Sequence, residues 1–142
     1  MKPRPAVKGI IPVENDRFIF VAGKSGRLNL PGGAPIAADG NDPIKTFLRE
    51  STEEIGLGGN DLSNVRPAFP FPLRGAVTSC EGVAGLAVWT VVKTDVCEVE
   101  NELYVPSGSE VTDITCLSAE QCFTQPDMSG LAKAAIYLYG QF

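Results

Sequence analysis

The spacing of apolar positions changes along this chain, and each change marks a predicted element. Residues 6–13 are mostly apolar and read as a strand that ends near Pro12. Glu14-Asn15-Asp16 supplies turn chemistry, and residues 17–22 then alternate as a second strand. Gly23-Lys24-Ser25-Gly26 turns the chain into a short run at 27–30 and on to Pro31-Gly32-Gly33. Residues 34–41 read as a loop that ends where a helix begins. Asp42 is a suitable N-cap, and Pro43 sits where its missing N–H is harmless. Ile44, Phe47, Leu48, Ser51 and Ile55 recur at helical spacing and Gly56 is placed to stop the helix, so the pattern predicts a helix over 42–55 with a stripe facing the core.

Further on, residues 65–71 read as a strand before a turn at Pro72-Leu73-Arg74-Gly75. Residues 82–93 form the longest β-rich run, and 95–110 an acidic loop. A strand at 111–117 leads to Ser118, the cap of a brief helix over 119–123, and an amphipathic helix at 129–139 follows. The order predicts an α+β fold: one domain over residues 1–142, with a mixed β-sheet, a central helix and further helix near the C-terminus.

Composition narrows the function classes. The chain has 142 residues, 44% hydrophobic and 20% charged, which is ordinary for a globular domain. A net charge of −5 argues against extended nucleic-acid binding or contact with anionic membranes. A phosphate-bearing small molecule stays compatible, because bound cations reverse the local field. Histidine is absent, which excludes imidazole bases, Ser-His triads and His-based zinc sites. Cys80, Cys97, Cys116 and Cys122 form no CxxC motif and read as reduced thiols of a cytoplasmic protein rather than a disulfide or zinc pair. The basic start lacks an apolar signal core, and no stretch approaches the length of a membrane span.

The chemistry concentrates in Arg49-Glu50-Ser51-Thr52-Glu53-Glu54-Ile55-Gly56-Leu57, preceded by Leu30-Pro31-Gly32-Gly33. On a helix, Glu50, Glu53 and Glu54 span an arc of about 100° beside the apolar stripe. Carboxylates at this spacing repel, and a hard divalent cation converts the repulsion into coordination. A solvated acidic face salt-bridged to Arg49 is the plainer alternative.

The segment resembles the signature box of the Nudix hydrolases: Gly, five residues, Glu, seven residues, then Arg-Glu-aliphatic-x-Glu-Glu-x-Gly-aliphatic. Gly33, Arg49, Glu50, Glu53, Glu54, Gly56 and Leu57 match it. Counting back from Arg49 puts Asn41 where the family has its first Glu. The interval from Gly33 to Arg49 is two residues longer than the pattern, with 34–39 the expected site of the insertion, and Ser51 replaces an aliphatic residue. The resemblance implies an α/β/α sandwich that hydrolyses a diphosphate linkage in a nucleoside diphosphate derivative. It implies Mg²⁺, with Mn²⁺ as a substitute, held by Glu50, Glu53, Glu54 and the Gly33 carbonyl. It further implies that Arg49 orients a glutamate; a homodimer is common in the family, and the oligomeric state stays open. Glu53 and Glu110 are the candidates for general base. Asn41 and Ser51 favour the alternative, a Nudix-like module that binds a nucleotide without cleaving it.

Weaker candidates stand beside plainer readings. Phe69-Pro70-Phe71-Pro72-Leu73-Arg74 reads as a β-edge with aromatics entering the core, or else as a wall for a nucleobase. Trp89 reads as core. Glu98, Glu100 and Glu102 read as one wet strand face, with a second metal site as the alternative, and Lys24 and Arg27 read as a solvated turn, with attraction of phosphate as the alternative.

Overall fold

The computed structural model describes residues 3–78, 84–98 and 100–142. Nine strands (β1 Pro3–Ile10, β2 Pro12–Val13, β3 Arg17–Gly23, β4 Leu28–Asn29, β5 Gly32–Gly33, β6 Arg66–Pro67, β7 Leu73–Thr78, β8 Ala84–Lys93, β9 Val111–Ser118) and three helices (α1 Pro43–Ile55, α2 Ala119–Thr124, α3 Gly130–Tyr139) are described. The strands form two sheets. In the first, β1 runs parallel to β8, from Pro3 opposite Leu86 to Ile10 opposite Lys93, while β5, β6 and β7 pair antiparallel, making the sheet mixed. In the second, β9 runs antiparallel along β3, and β2 and β4 take the other edge of β3 in succession.

Alternation along the strands separates two cores. Phe18 and Phe20 of β3 pack with Trp89, Ala132 and Ile136 on the α3 side, whereas Ile19 and Val21 pack with Phe47 and Ile55 on the α1 side. Ile10 and Ile11 are fully buried because successive side chains face opposite cores. The sheets are thus covered by α1 on one face and α3 on the other, the expected α+β sandwich.

The stretch 6–13 therefore divides: its first part belongs to one sheet, and Pro12 opens a short strand of the other. The strand expected at 65–71 shrinks to Arg66–Pro67, because Pro70 and Pro72 have no N–H for the ladder. The expected turn at 72–75 is instead the start of β7, which resumes pairing with β8. In the strand expected at 82–93, Gly82 and Val83 lie outside the described residues, as do Cys80 and Val99. No strand carries Glu98, Glu100 and Glu102; Glu100–Glu102 form a 3₁₀ turn, and Glu100 accepts a 2.8 Å hydrogen bond from Arg17. Cys116 and Cys122 are free thiols. Among the described residues no helix is long and apolar enough to cross a membrane.

The helix α1 starts and stops as its sequence predicts. The Asp42 carboxylate accepts from the Ile44 N–H at 2.9 Å, and Gly56 closes the helix at φ 75°. Its buried residues are Thr46, Phe47, Ser51 and Ile55; Leu48 is only half-buried. A Cβ at Gly9 of β1 would fall inside the Phe47 ring, so a glycine lets the helix lie close to the sheet. Ser51 is fully buried, and its hydroxyl has no hydrogen-bond partner among the described residues.

A buried hydroxyl without a partner is destabilising. Ser51→Ala is therefore expected to raise stability by about 1 kcal/mol, read as a higher urea midpoint at unchanged slope. Phe47→Ala, which empties a fully buried site, should lower stability by about 3–5 kcal/mol.

Candidate active site

α1 turns its charged side toward the loop that carries Gly32 and Gly33, and Arg49 organises the meeting. Its guanidinium donates to Asp39 through Nε and Nη2 at 3.1 and 3.0 Å, to Glu50 at 3.0 Å and to the Ala34 carbonyl at 3.0 Å. Glu53 lies 3.6 Å away on the exposed side. One cation thus ties two of the three box glutamates to the preceding loop, as a planar fork can and a point charge cannot.

Asp39 is the residue that the sequence reading missed. It is buried, and it accepts four hydrogen bonds: two from Arg49, one from the Ile36 N–H at 3.0 Å and one from the Thr46 hydroxyl at 2.8 Å. These donors, Arg49 foremost, hold its carboxyl well below the usual carboxylate range and raise the Arg49 pKa in return. Asn41, which counting back from Arg49 had selected, is exposed in a left-handed turn at φ 61°. Counting forward from Gly33 by the same pattern lands on Asp39. The two extra residues therefore follow the acid rather than precede it, and the left-handed pair Gly40 and Asn41 lies in that interval.

The Gly32–Gly33 strand presses against the same helix. A Cβ at Gly33 would lie 2.5 Å from the Glu50 carboxylate carbon, so the glycine makes room for that side chain. The Gly32 N–H donates to Glu54 at 2.7 Å. Burial nevertheless pushes Glu54 up to about 7, although the Gly32 N–H and Lys8 favour its charged form. Lys8, also missed from sequence, extends over Trp89 and donates to the Leu30 and Gly32 carbonyls at 3.3 and 3.4 Å. Burial lowers its pKa, against the pull of Glu54 and Glu50. A lysine in a strand pattern gives no sign of this position until the fold places β1 beside β5.

Glu50, Glu53 and Glu54 line one cleft of about 500 Å³ with residues 106–110, so the fold brings Glu110 to the box glutamates. Glu54 and Glu110 also line an adjoining cleft of about 730 Å³ that reaches Lys8, Lys24 and Arg27. Among the described residues no three Asp, Glu, His or Cys side chains are drawn together tightly enough to enclose an ion. Arg49 and Gly32 hold the carboxylates along the cleft wall instead. Such an open, oxygen-only donor set fits Mg²⁺, which keeps several waters and completes its shell with substrate phosphates.

The remaining candidates lie elsewhere. Trp89 and Phe69 are in the core, as read. Phe71 is 41% exposed, and it stacks on Phe69 at 5.8 Å and meets Phe142 at 5.5 Å, away from the residues that line these two clefts.

No protein-family model matches the sequence, and no curated protein matches it. Solved structures do. A MutT protein from Methanosarcina mazei superposes with a TM-score of 0.75 at 14% identity, over 98% of this chain and 94% of that one. The Nudix domain of Shewanella oneidensis NrtR, solved with ADP-ribose, gives 0.71 at 14% identity, over 99% and 86%. A Caenorhabditis elegans Ap4A hydrolase, in a binary complex, gives 0.67 at 10% identity, over 100% and 97%. The chain adopts the Nudix hydrolase fold.

Asp39→Asn is expected to lower the melting temperature at neutral pH, and Asn41→Asp to leave it nearly unchanged. Because the folded state depresses the Asp39 pKa, its stabilisation is complete above the ordinary carboxylate range, about pH 4, and is lost as pH falls toward its own lower titration. Melting curves of wild type and Asp39→Asn should therefore converge on acidification. A gap that stays constant down to about pH 2 would contradict this assignment.

Proposed function

We propose, from this fold and its acidic cleft, that the protein hydrolyses a diphosphate linkage in a nucleoside diphosphate derivative with the help of divalent metal ions. The observation that carries the reading is the shared cleft of Glu50, Glu53, Glu54 and Glu110 beside Gly33. Glu50, Glu53, Glu54 and the Gly33 carbonyl would hold Mg²⁺, with Mn²⁺ as a substitute. Bound there, such ions neutralise the diphosphate and acidify the attacking water.

The chain's own residues do the rest. Arg49 is a positioning residue: it fixes Glu50 to the loop and keeps Glu53 on the cleft side of the helix. Glu110 is the better placed general base, because it reaches the cleft with no ion pair among the described residues, whereas Glu53 lies near Arg49. Water attacks one phosphorus, the bond to the bridging oxygen breaks, and two phosphate-bearing products or a monophosphate and pyrophosphate leave. The partnering of Arg49 by Asp39 and the burial of Ser51 support the hydrolase reading over a binding module. A cytoplasmic homodimer is the proposed setting.

Turnover on a mixed nucleotide panel should vanish with EDTA and return with Mg²⁺ or Mn²⁺, with no requirement for Zn²⁺. Glu53→Gln and Glu54→Gln should each reduce turnover by two decades or more while the metal-free protein melts no lower, since each removes like-charge repulsion. Near-full turnover in both variants, or in rigorously metal-free protein, would exclude this mechanism.

A further inference from the structure

Glu110 reaches the cleft on a short span, residues 105–110, that the fold holds at its ends. On one side Val111 begins β9 and pairs with Gly23 of β3. On the other, Leu103 packs against the α1-side core and Tyr104 lies on the end of α1. Among the described residues, the hydrogen bonds between these ends stay local. The Ser109 N–H donates to the Pro106 carbonyl at 3.2 Å, and the Ser109 hydroxyl accepts from the Val111 N–H at 3.1 Å. Where the span stands over the box glutamates is therefore decided at its two attachments.

Tyr104 is the attachment that touches the box helix. Its N–H donates to the Ile55 carbonyl at 3.4 Å, one of the acceptors that a helix end leaves open. A Cβ at Gly56 would overlap atoms of the Tyr104 ring, so the ring lies directly on that glycine. Gly56 thus serves twice: its φ of 75° ends the helix, and its bare Cα seats the ring. Glu50, Glu53 and Gly56 follow one another at three-residue spacing, so the ring closes the side of α1 that presents the carboxylates. Tyr104 stays 59% exposed, so filling a core does not account for this seat.

We propose that Tyr104 is a positioning residue: its ring, seated on Gly56, latches residues 105–110 to α1 and so sets Glu110 against the box glutamates. Its effect on turnover rests on the hydrolase reading with Glu110 as general base. The latch itself needs neither metal nor substrate.

The test has one arm without turnover and one with it, using the full chain and the variants Tyr104→Ala and Tyr104→Phe. In metal-free protein, backbone ¹⁵N order parameters of residues 105–110 should fall in Tyr104→Ala and stay at the wild-type level in Tyr104→Phe, which keeps the ring. Melting temperatures should be nearly equal, since the side chain is largely exposed. With Mg²⁺ and the mixed nucleotide panel, Tyr104→Ala should lower kcat about tenfold or more at nearly unchanged KM, and Tyr104→Phe should restore it. In a Glu110→Gln background the same Tyr104→Ala change should cost little, because the group it positions is gone. Unchanged order parameters in Tyr104→Ala, or a kcat loss as large with Glu110→Gln as without it, would overturn the proposal. Lowered order parameters in a protein that hydrolyses nothing would sustain the latch and remove the hydrolase reading alone.

Discussion

The acidic face of α1 depends on Arg49. Three glutamates within one and a half helical turns repel, and left alone they would spread into solvent. The guanidinium fork holds Glu50, lies near Glu53 and is itself fixed by the buried carboxylate of Asp39 and the Ala34 carbonyl. The Gly32 N–H fixes the third glutamate, Glu54. Loop and helix are therefore positioned by the same charges that the chemistry needs, and a cation entering the cleft would meet carboxylates already in place.

The fold supplies the rest of that placement. β1 carries Lys8 beside the Gly32–Gly33 strand, and its Gly9 lets Phe47 seat α1 close against the sheet. The loop before β9 brings Glu110 to the box glutamates, and the turn between β3 and β4 brings Lys24 and Arg27 to the adjoining cleft that Glu54 and Glu110 also line.

Much of this was legible in the sequence because it is local. The capped helix, its stripe and its Gly56 stop follow from spacing within a few residues, and so does the acidic arc. The strand β7 was not legible, because two prolines break its edge and resemble a turn. Asp39 was misread because the count ran back from Arg49 through two added residues; the count forward from Gly33 reaches it directly. Lys8 and the placement of Glu110 depend on long-range pairing, which periodicity does not encode.

In the proposed metal site, the Asp39–Arg49 pair holds the glutamates in place for a divalent cation. Mn²⁺ titration followed by electron paramagnetic resonance measures this without substrate or turnover. Wild type should bind Mn²⁺ saturably, and Asp39→Asn should raise the dissociation constant at least tenfold. Equal Mn²⁺ affinity in the two folded proteins would contradict it.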